Sequence, residues 1–276
     1  MKVAFQGERG AYSEAALLEF FGAAAEPAAC ADSEGTFDAV ESGRAEAGFV
    51  PVENSIAGSV GVNVDLFWDR PVFAFGEAYH PIRHCLLAPP GATLDGVRTV
   101  RSHPVALAQC RPFLAARGLR AVPDYDTAGA AREVARRGAP EEAAVASRLC
   151  ARVYGLTVLA EDIQSEKNNY TRFLAFRGER GAGPGAGDGK TSLAFSLADR
   201  PGALLTALSA FARRGLNLSK LESRPIASNP FEYLFFADAL GGARDPSMAE
   251  ALAELSAAAT RVKVFGSYPA AVRPGA

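Results

Sequence analysis

The chain has 276 residues, 49% of them hydrophobic, with a formal net charge of -2. That is enough for two domains with substantial cores, and a near-neutral chain with no basic stripe sets nucleic acid aside as a partner. The opening MKVAFQGERG lacks a signal peptide's apolar stretch, no run is long and apolar enough for a membrane span, and Cys30, Cys85, Cys110 and Cys150 lie far apart without a CxxC. A cytoplasmic protein with reduced core cysteines is therefore expected, with no membrane, disulfide frame or zinc site.

The N-terminal region alternates short apolar runs with helical stretches, an α/β pattern. Val3 to Phe5 reads as a buried strand, and a helix follows over Ser13 to Phe21, closed by Gly22. A second helix is expected over Phe37 to Glu41 after Thr36, then a strand over Gly48 to Val52. A second group of elements begins near Glu77. Val97 to Val100 is a strand, and Ser102, with N-cap character, opens a helix through Pro104 to Gly118. Arg120 to Val122 and Ala143 to Ala146 are further strands. Asp126-Thr127 opens a helix that ends at Gly138, and Ser147 one that ends at Gly155. If the sheet is parallel, the three helix starts lie at one edge, where free N–H groups and helix dipoles favour an anion.

Gly178 to Lys190 (GERGAGPGAGDGK) holds no large apolar residue and reads as a linker between regions that fold separately. Beyond it the order is strand (Ser192 to Leu197), helix (Pro201 to Arg214), strand (Leu216 to Arg224), strand (Phe231 to Ala239), helix (Met248 to Ala258), strand (Val262 to Phe265). That βαββαβ order is a ferredoxin-like sandwich.

Three clusters carry the chemistry. In NNYTRFL, two asparagines favour a turn and β-prone residues follow, which places the Thr171 hydroxyl at a strand start near a cleft edge. In VPVENS, a strand delivers Glu53, Asn54 and Ser55 into a loop. The third is Ser102-His103-Pro104, with Gln109 on the same helix. His80 and His84 lie in a strand or loop with no third ligand in view, so no metal site is expected. FQGERGAYS lacks GxGxxG and GK[ST], which argues against nucleotide binding.

In order and spacing, FQGERGAYSEAA, VPVENSIAGSV, SHPVALAQC, DTAGAA, AAVAS and NNYTRFL resemble the prephenate dehydratase family over almost the whole length. GALLTALSAF and NLSKLESRP resemble the amino-acid-binding ACT domain usually fused to it. The resemblance implies two α/β lobes similar to periplasmic binding proteins with the site between them. Lobe one would take about 1–76 plus 160–177, lobe two about 77–159, a linker 178–190, and the ACT domain 191–276. It implies catalytic roles for Thr171, Asn54, Ser102 and Gln109, with Glu53, Ser55, Thr127, Ser147, Arg172 and Phe173 beside the substrate. For an amino-acid effector, L-phenylalanine, it implies Gly202, Ala203, Leu204, Leu205, Asn217, Glu222, Ser223, Arg224 and Pro225. Gly129 stands where alanine is commoner and is expected to loosen its helix slightly. ACT domains pair through sheets or helices, which implies a homodimer or homotetramer.

Prephenate is a dianion that loses CO2 and hydroxide together to leave an aromatic ring, phenylpyruvate. Aromatisation drives the step, so no cofactor is expected. Amides such as Asn54 and Gln109 suit the carboxylates, and the Thr171 hydroxyl suits the departing oxygen. Two other functions are compatible with the sequence. One is arogenate dehydratase, acting on the amino-acid counterpart; the other is a non-catalytic sensor of an amino acid or carboxylate.

Overall fold

A computed structural model describes residues 1–178, 189–226 and 229–274. The first lobe contains β1 (Lys2–Gln6), α1 (Tyr12–Phe21), β2 (Glu26–Cys30), α2 (Ser33–Glu41), β3 (Ala47–Asn54), the short β4 (Gly58–Ser59), α3 (Gly61–Asp69) and β5 (Val72–Pro81). The second contains β6 (Cys85–Ala88), β7 (Thr99–Ser102), α4 (Pro104–Gln109), α5 (Arg111–Ala116), β8 (Arg120–Pro123), α6 (Thr127–Arg137), β9 (Glu142–Ala146), α7 (Arg148–Tyr154) and β10 (Thr157–Ala160). The chain then returns to the first lobe as β11 (Tyr170–Gly178), which lies antiparallel between β3 and β5. The sheet orders are β2-β1-β3-β11-β5 and β10-β6-β9-β7-β8.

In the second lobe β7 is parallel to both β8 and β9, so α4, α6 and α7 do start at one edge. Two of their caps are as expected: the Asp126 side chain accepts from Gly129 N and that of Ser147 from Cys150 N. The third is different. His103 caps α4, through Nδ1 to Val105 N at 3.2 Å. Ser102 is the last residue of β7, buried, and its Oγ donates to the Val145 carbonyl at 2.6 Å. The helix expected to reach Gly118 divides at Cys110, because Pro112 lacks the N–H that would continue the ladder. Asp32, not Thr36, opens the second helix. β2, α3 and β5 had no clear sequence signal, and the first sheet keeps the chain to Pro81 rather than to near 76. Gly129 has a steric role: a Cβ there would lie 2.0 Å from the Tyr125 hydroxyl, so the glycine accommodates that ring.

The C-terminal region is the expected βαββαβ: β12 (Lys190–Ser196), α8 (Ala203–Ala212), β13 (Leu218–Ile226), β14 (Asn229–Leu240), α9 (Pro246–Ala258) and β15 (Arg261–Tyr268), in the antiparallel order β13-β14-β12-β15. One face of its sheet covers α8 and α9, where Leu193, Phe195, Ala207, Phe211, Met248 and Leu255 form a core. The other face packs on the first lobe. Ala194, Leu234, Phe236, Phe265 and Tyr268 share one cluster with Val50, Phe67, Leu174 and Phe176. β15 crosses β5 so closely that a Cβ at Gly266 would lie 2.0 Å from the Ala74 carbonyl oxygen. The regions expected to fold separately thus share a core. Within the expected linker, 179–188 lie outside the described residues, while Lys190 is already a buried strand residue.

Candidate active site

Along β11 successive side chains point to opposite faces, and this divides the TRF residues. Phe173 is buried in the first lobe's core, its ring stacked on Phe49 with centroids 5.0 Å apart. Arg172 points to the C-terminal sheet. It pairs with Glu77 at 2.7 Å and with Asp238, and donates to the Tyr268 hydroxyl at 3.1 Å. Lys190 joins the same cluster, 2.6 Å from Glu77. Arg172 and Phe173 thus make structural contacts on opposite faces of β11, and Arg172 also lines a cavity of about 620 Å³ with Glu53 and Ser55. Glu53 faces the C-terminal region as well, 3.2 Å from Lys220 Nζ. The Ser55 hydroxyl binds the turn before β11, donating to Asn168 O at 3.0 Å and accepting from Tyr170 N at 2.9 Å.

Thr171 sits beside Asn54 in register. The Asn54 amide is oriented by its own loop, because Oδ1 accepts from Ile56 N at 3.0 Å and Ala57 N at 2.8 Å. Its Nδ2 therefore donates, to Asn169 Oδ1 at 2.8 Å, Thr171 Oγ1 at 2.9 Å and Tyr170 O at 3.2 Å. An amide NH2 has two hydrogens, so Asn54 is saturated and fixes Thr171 instead of presenting a donor to a ligand. Among the described residues Thr171 Oγ1 accepts from Asn54 and donates to no protein group, which leaves its own hydrogen to point elsewhere. The network continues to the second lobe: Asn169 Nδ2 donates to Gln109 Oε1 at 3.2 Å, and His84 Nε2 lies 2.8 Å from the same oxygen. His84 Nδ1 is 2.7 Å from the Tyr12 hydroxyl at the start of α1. Burial raises the Tyr12 phenol well above its ordinary value and keeps it protonated. Burial lowers His84, opposed by its hydrogen bond to Gln109.

Tyr12 also lines a cavity of about 650 Å³ with Gln6, Glu8, Ser13, Asp126 and Thr127, between the starts of α1 in one lobe and α6 in the other. The Ala11 cap of α1 makes no side-chain hydrogen bond, so backbone N–H groups there are open to an anion. Tyr125 bridges the lobes at this cavity, donating to Glu8 at 3.1 Å while Arg132 pairs with Glu8 at 2.8 Å. Of the expected residues, the fold joins Thr171, Asn54 and Gln109 in one network and sets Thr127 on the cavity. Ser147 is not free for substrate, since its Oγ donates to Gly10 O at 2.5 Å across the lobes. Ser102 is likewise taken up by Val145. Tyr12, His84 and Asn169 were not identified from sequence; the paired asparagines read only as a turn, and His84 only as a failed metal ligand. Among the described residues no group of three or more His, Cys, Asp or Glu could hold a metal ion, and no helix is long and apolar enough to cross a membrane.

Among the described residues the expected effector residues fall in several places. Gly202 caps α8 at φ 80°, and Ala203 and Leu204 line a cavity of about 140 Å³ with Leu197, Arg200, Tyr233 and Phe235. Leu205 is exposed. Asn217 lies instead in a cavity of about 620 Å³ between the C-terminal sheet and the first lobe. Glu222, Ser223 and Pro225 are on β13, an edge strand. Arg224 is directed to the first lobe, 3.1 Å from Asp65, over Gly61 at the start of α3.

A family model described as prephenate dehydratase matches residues 3–180, and an ACT domain model matches 191–257. The chain is 41% identical to arogenate dehydratase/prephenate dehydratase 2 of Arabidopsis thaliana, over 98% of this chain and 73% of the relative. It is 40% identical to a bifunctional chorismate mutase/prephenate dehydratase of Neisseria gonorrhoeae, over 99% and 75% respectively. A crystal structure of prephenate dehydratase from Arthrobacter aurescens in complex with L-Phe superposes with a TM-score of 0.88 at 35% identity, covering 99% of this chain and 93% of that one.

Proposed function

The chain belongs to the prephenate dehydratase family and carries an ACT domain, and on that premise we propose that it converts prephenate to phenylpyruvate with Thr171 assisting the departing hydroxyl. The observation that carries this reading is the Asn54–Thr171 hydrogen bond of 2.9 Å. With its oxygen held as acceptor, the threonine hydroxyl keeps one hydrogen to donate. A preorganised donor stabilises charge where it develops, at little reorganisation cost. Gln109 has its oxygen engaged twice, so its NH2 is the donor offered to a substrate carboxylate. The second carboxylate would lie towards the starts of α1 and α6. Neutral donors suit this chemistry, because a full positive charge would hold back the carboxylate that must leave as CO2.

Thr171→Val tests the reading, since it keeps the shape and removes the donor. kcat is expected to fall by ~10²- to 10³-fold, the loss typical of one preorganised donor, with KM little changed. Near-normal kcat in a folded variant would overturn the assignment. Arogenate is the second substrate to be assayed, because the A. thaliana relative carries both substrates in its name. A higher kcat/KM for arogenate would reassign the substrate without moving the site. L-Phenylalanine is the proposed effector, as the A. aurescens relative was crystallised with it. The start of α8 would take its carboxylate, and β13 of a second copy would complete the pocket in a dimer or tetramer.

A further inference from the structure

The two segments that connect the lobes run side by side. Ile82 N donates to Asn169 O at 2.8 Å, and Ile163 N to His84 O at 3.1 Å. His84 N also donates to Gln164 Oε1 at 2.8 Å. Gln109 is tied to the returning segment by its backbone too, its carbonyl accepting from Ser165 N at 2.9 Å and Ser165 Oγ at 3.0 Å. The side-chain network described above therefore crosses the hinge, with contributions from both lobes and both connections.

The hydrogens in that network can be assigned from one end. Two loop N–H groups fix the Asn54 oxygen, so Asn54 Nδ2 donates to Asn169 Oδ1. Asn169 Nδ2 must then donate to Gln109 Oε1, which turns the Gln109 NH2 away from the network. An oxygen that faces His84 Nε2 at 2.8 Å requires a hydrogen on that nitrogen. Neutral His84 is then an acceptor at Nδ1, and the single hydrogen of the Tyr12 phenol goes to it at 2.7 Å in preference to the Arg83 carbonyl at 3.1 Å. Both rings are largely enclosed, His84 at 2% exposure, and their planes meet edge to face at 5.5 Å. The imidazole has no freedom to present another edge.

We propose that His84 and Tyr12 are positioning residues for the dehydration: the imidazole Nε2–H and the Asn169 amide hold the Gln109 oxygen, Tyr12 holds the imidazole, and the Gln109 NH2 is thereby aimed at the substrate. This rests on the role given to Gln109 above. Without the two donors, the Gln109 amide could rotate and present its oxygen to a carboxylate, a repulsive contact. Tyr12 lies in the first lobe and Gln109 in the second, so the arrangement also requires the lobes to keep their mutual position.

The test is a steady-state double-mutant cycle on the full chain with prephenate. His84→Leu is expected to lower kcat/KM by ~10- to 100-fold, the scale of a misplaced binding group. His84→Gln places an amide nitrogen near the Nε2 position and should restore most of that loss. Tyr12→Phe removes one hydroxyl and should cost about 3- to 10-fold; it is the milder variant to use if His84→Leu does not fold. His84→Leu combined with Gln109→Ala should be no worse than Gln109→Ala alone, because the imidazole acts through that side chain. An impaired Gln109→Ala beside unimpaired His84→Leu and Tyr12→Phe overturns the positioning role alone. Losses that simply multiply in the double variant do the same. An unimpaired Gln109→Ala overturns the reading of the site itself.

Discussion

Arg172 gives the sharpest test of how the two regions are joined. Its guanidinium is buried between two carboxylates, Glu77 from the first lobe and Asp238 from the C-terminal sheet, and Lys190 completes a neutral cluster of two cations and two anions. Attraction to Asp238 and Glu77 outweighs burial and holds Arg172 well above its ordinary value. Arg172→Met keeps most of the volume but leaves two buried carboxylates with one cation, Lys190, which pairs with Glu77 alone. Removing one partner of a buried pair typically costs about 3–5 kcal/mol. For a chain of this size about 2–4 °C is lost per kcal/mol, so Tm should fall by about 6–20 °C. The double variant Arg172→Met with Asp238→Asn returns the cluster to neutrality and should recover part of that fall, a coupling that additive sites would not show. The assay is thermal unfolding followed by circular dichroism, repeated at high salt, which should alter the difference little because the cluster is shielded from ions. A single variant that melts within about 2 °C of the parent, less than about 1 kcal/mol, would refute the argument. So would a double variant that is worse than the sum of its parts.

Three further outcomes follow from the geometry. A fragment that ends at Arg177 would expose the apolar face of the first lobe and strand Glu77 without Lys190; it should be aggregation-prone or melt well below the full chain, measured by light scattering and thermal unfolding, and a fragment as stable as the full chain would refute the shared core. His84 is depressed from its ordinary value of 6.5 by burial, so the unfolded chain takes up a proton there first; stability should decline as pH falls below about 6.5, by at most about 1.4 kcal/mol per unit from this group, and His84→Gln should flatten that part of the denaturant-midpoint profile. L-Phenylalanine should bind the full chain in a calorimetric titration, and Leu204→Ala, which alters the cavity at the start of α8, should weaken it by roughly tenfold, near 1.4 kcal/mol.

The local rules of the chain were strong enough to set most of the elements. Apolar runs, caps and closing glycines defined the parallel strands of the second lobe with α6 and α7, and the whole βαββαβ region. Thr171 at the start of a strand was legible as well, but not that Asn54, the last residue of β3, lies opposite it. The failures share one cause: they depend on which partner a residue meets. β5 alternates only weakly, since both its faces are covered, one of them by a C-terminal sheet far along the chain. Arg172 reads like a ligand contact because it neighbours Thr171, but strand alternation turns it to the opposite face, where only the assembled sheets supply Glu77 and Asp238. Ser102 and Ser147 look like open caps until Val145 and Gly10 arrive to take their hydroxyls. Sequence alone determined the family and the order of most elements, and set the Thr171 hydroxyl at the start of a strand. Tertiary structure decided that the two regions share a core, and that Tyr12, His84, Gln109, Asn169 and Asn54 form one network, because hydrogen-bond partners from 12 to 171 meet only when both lobes close on the hinge.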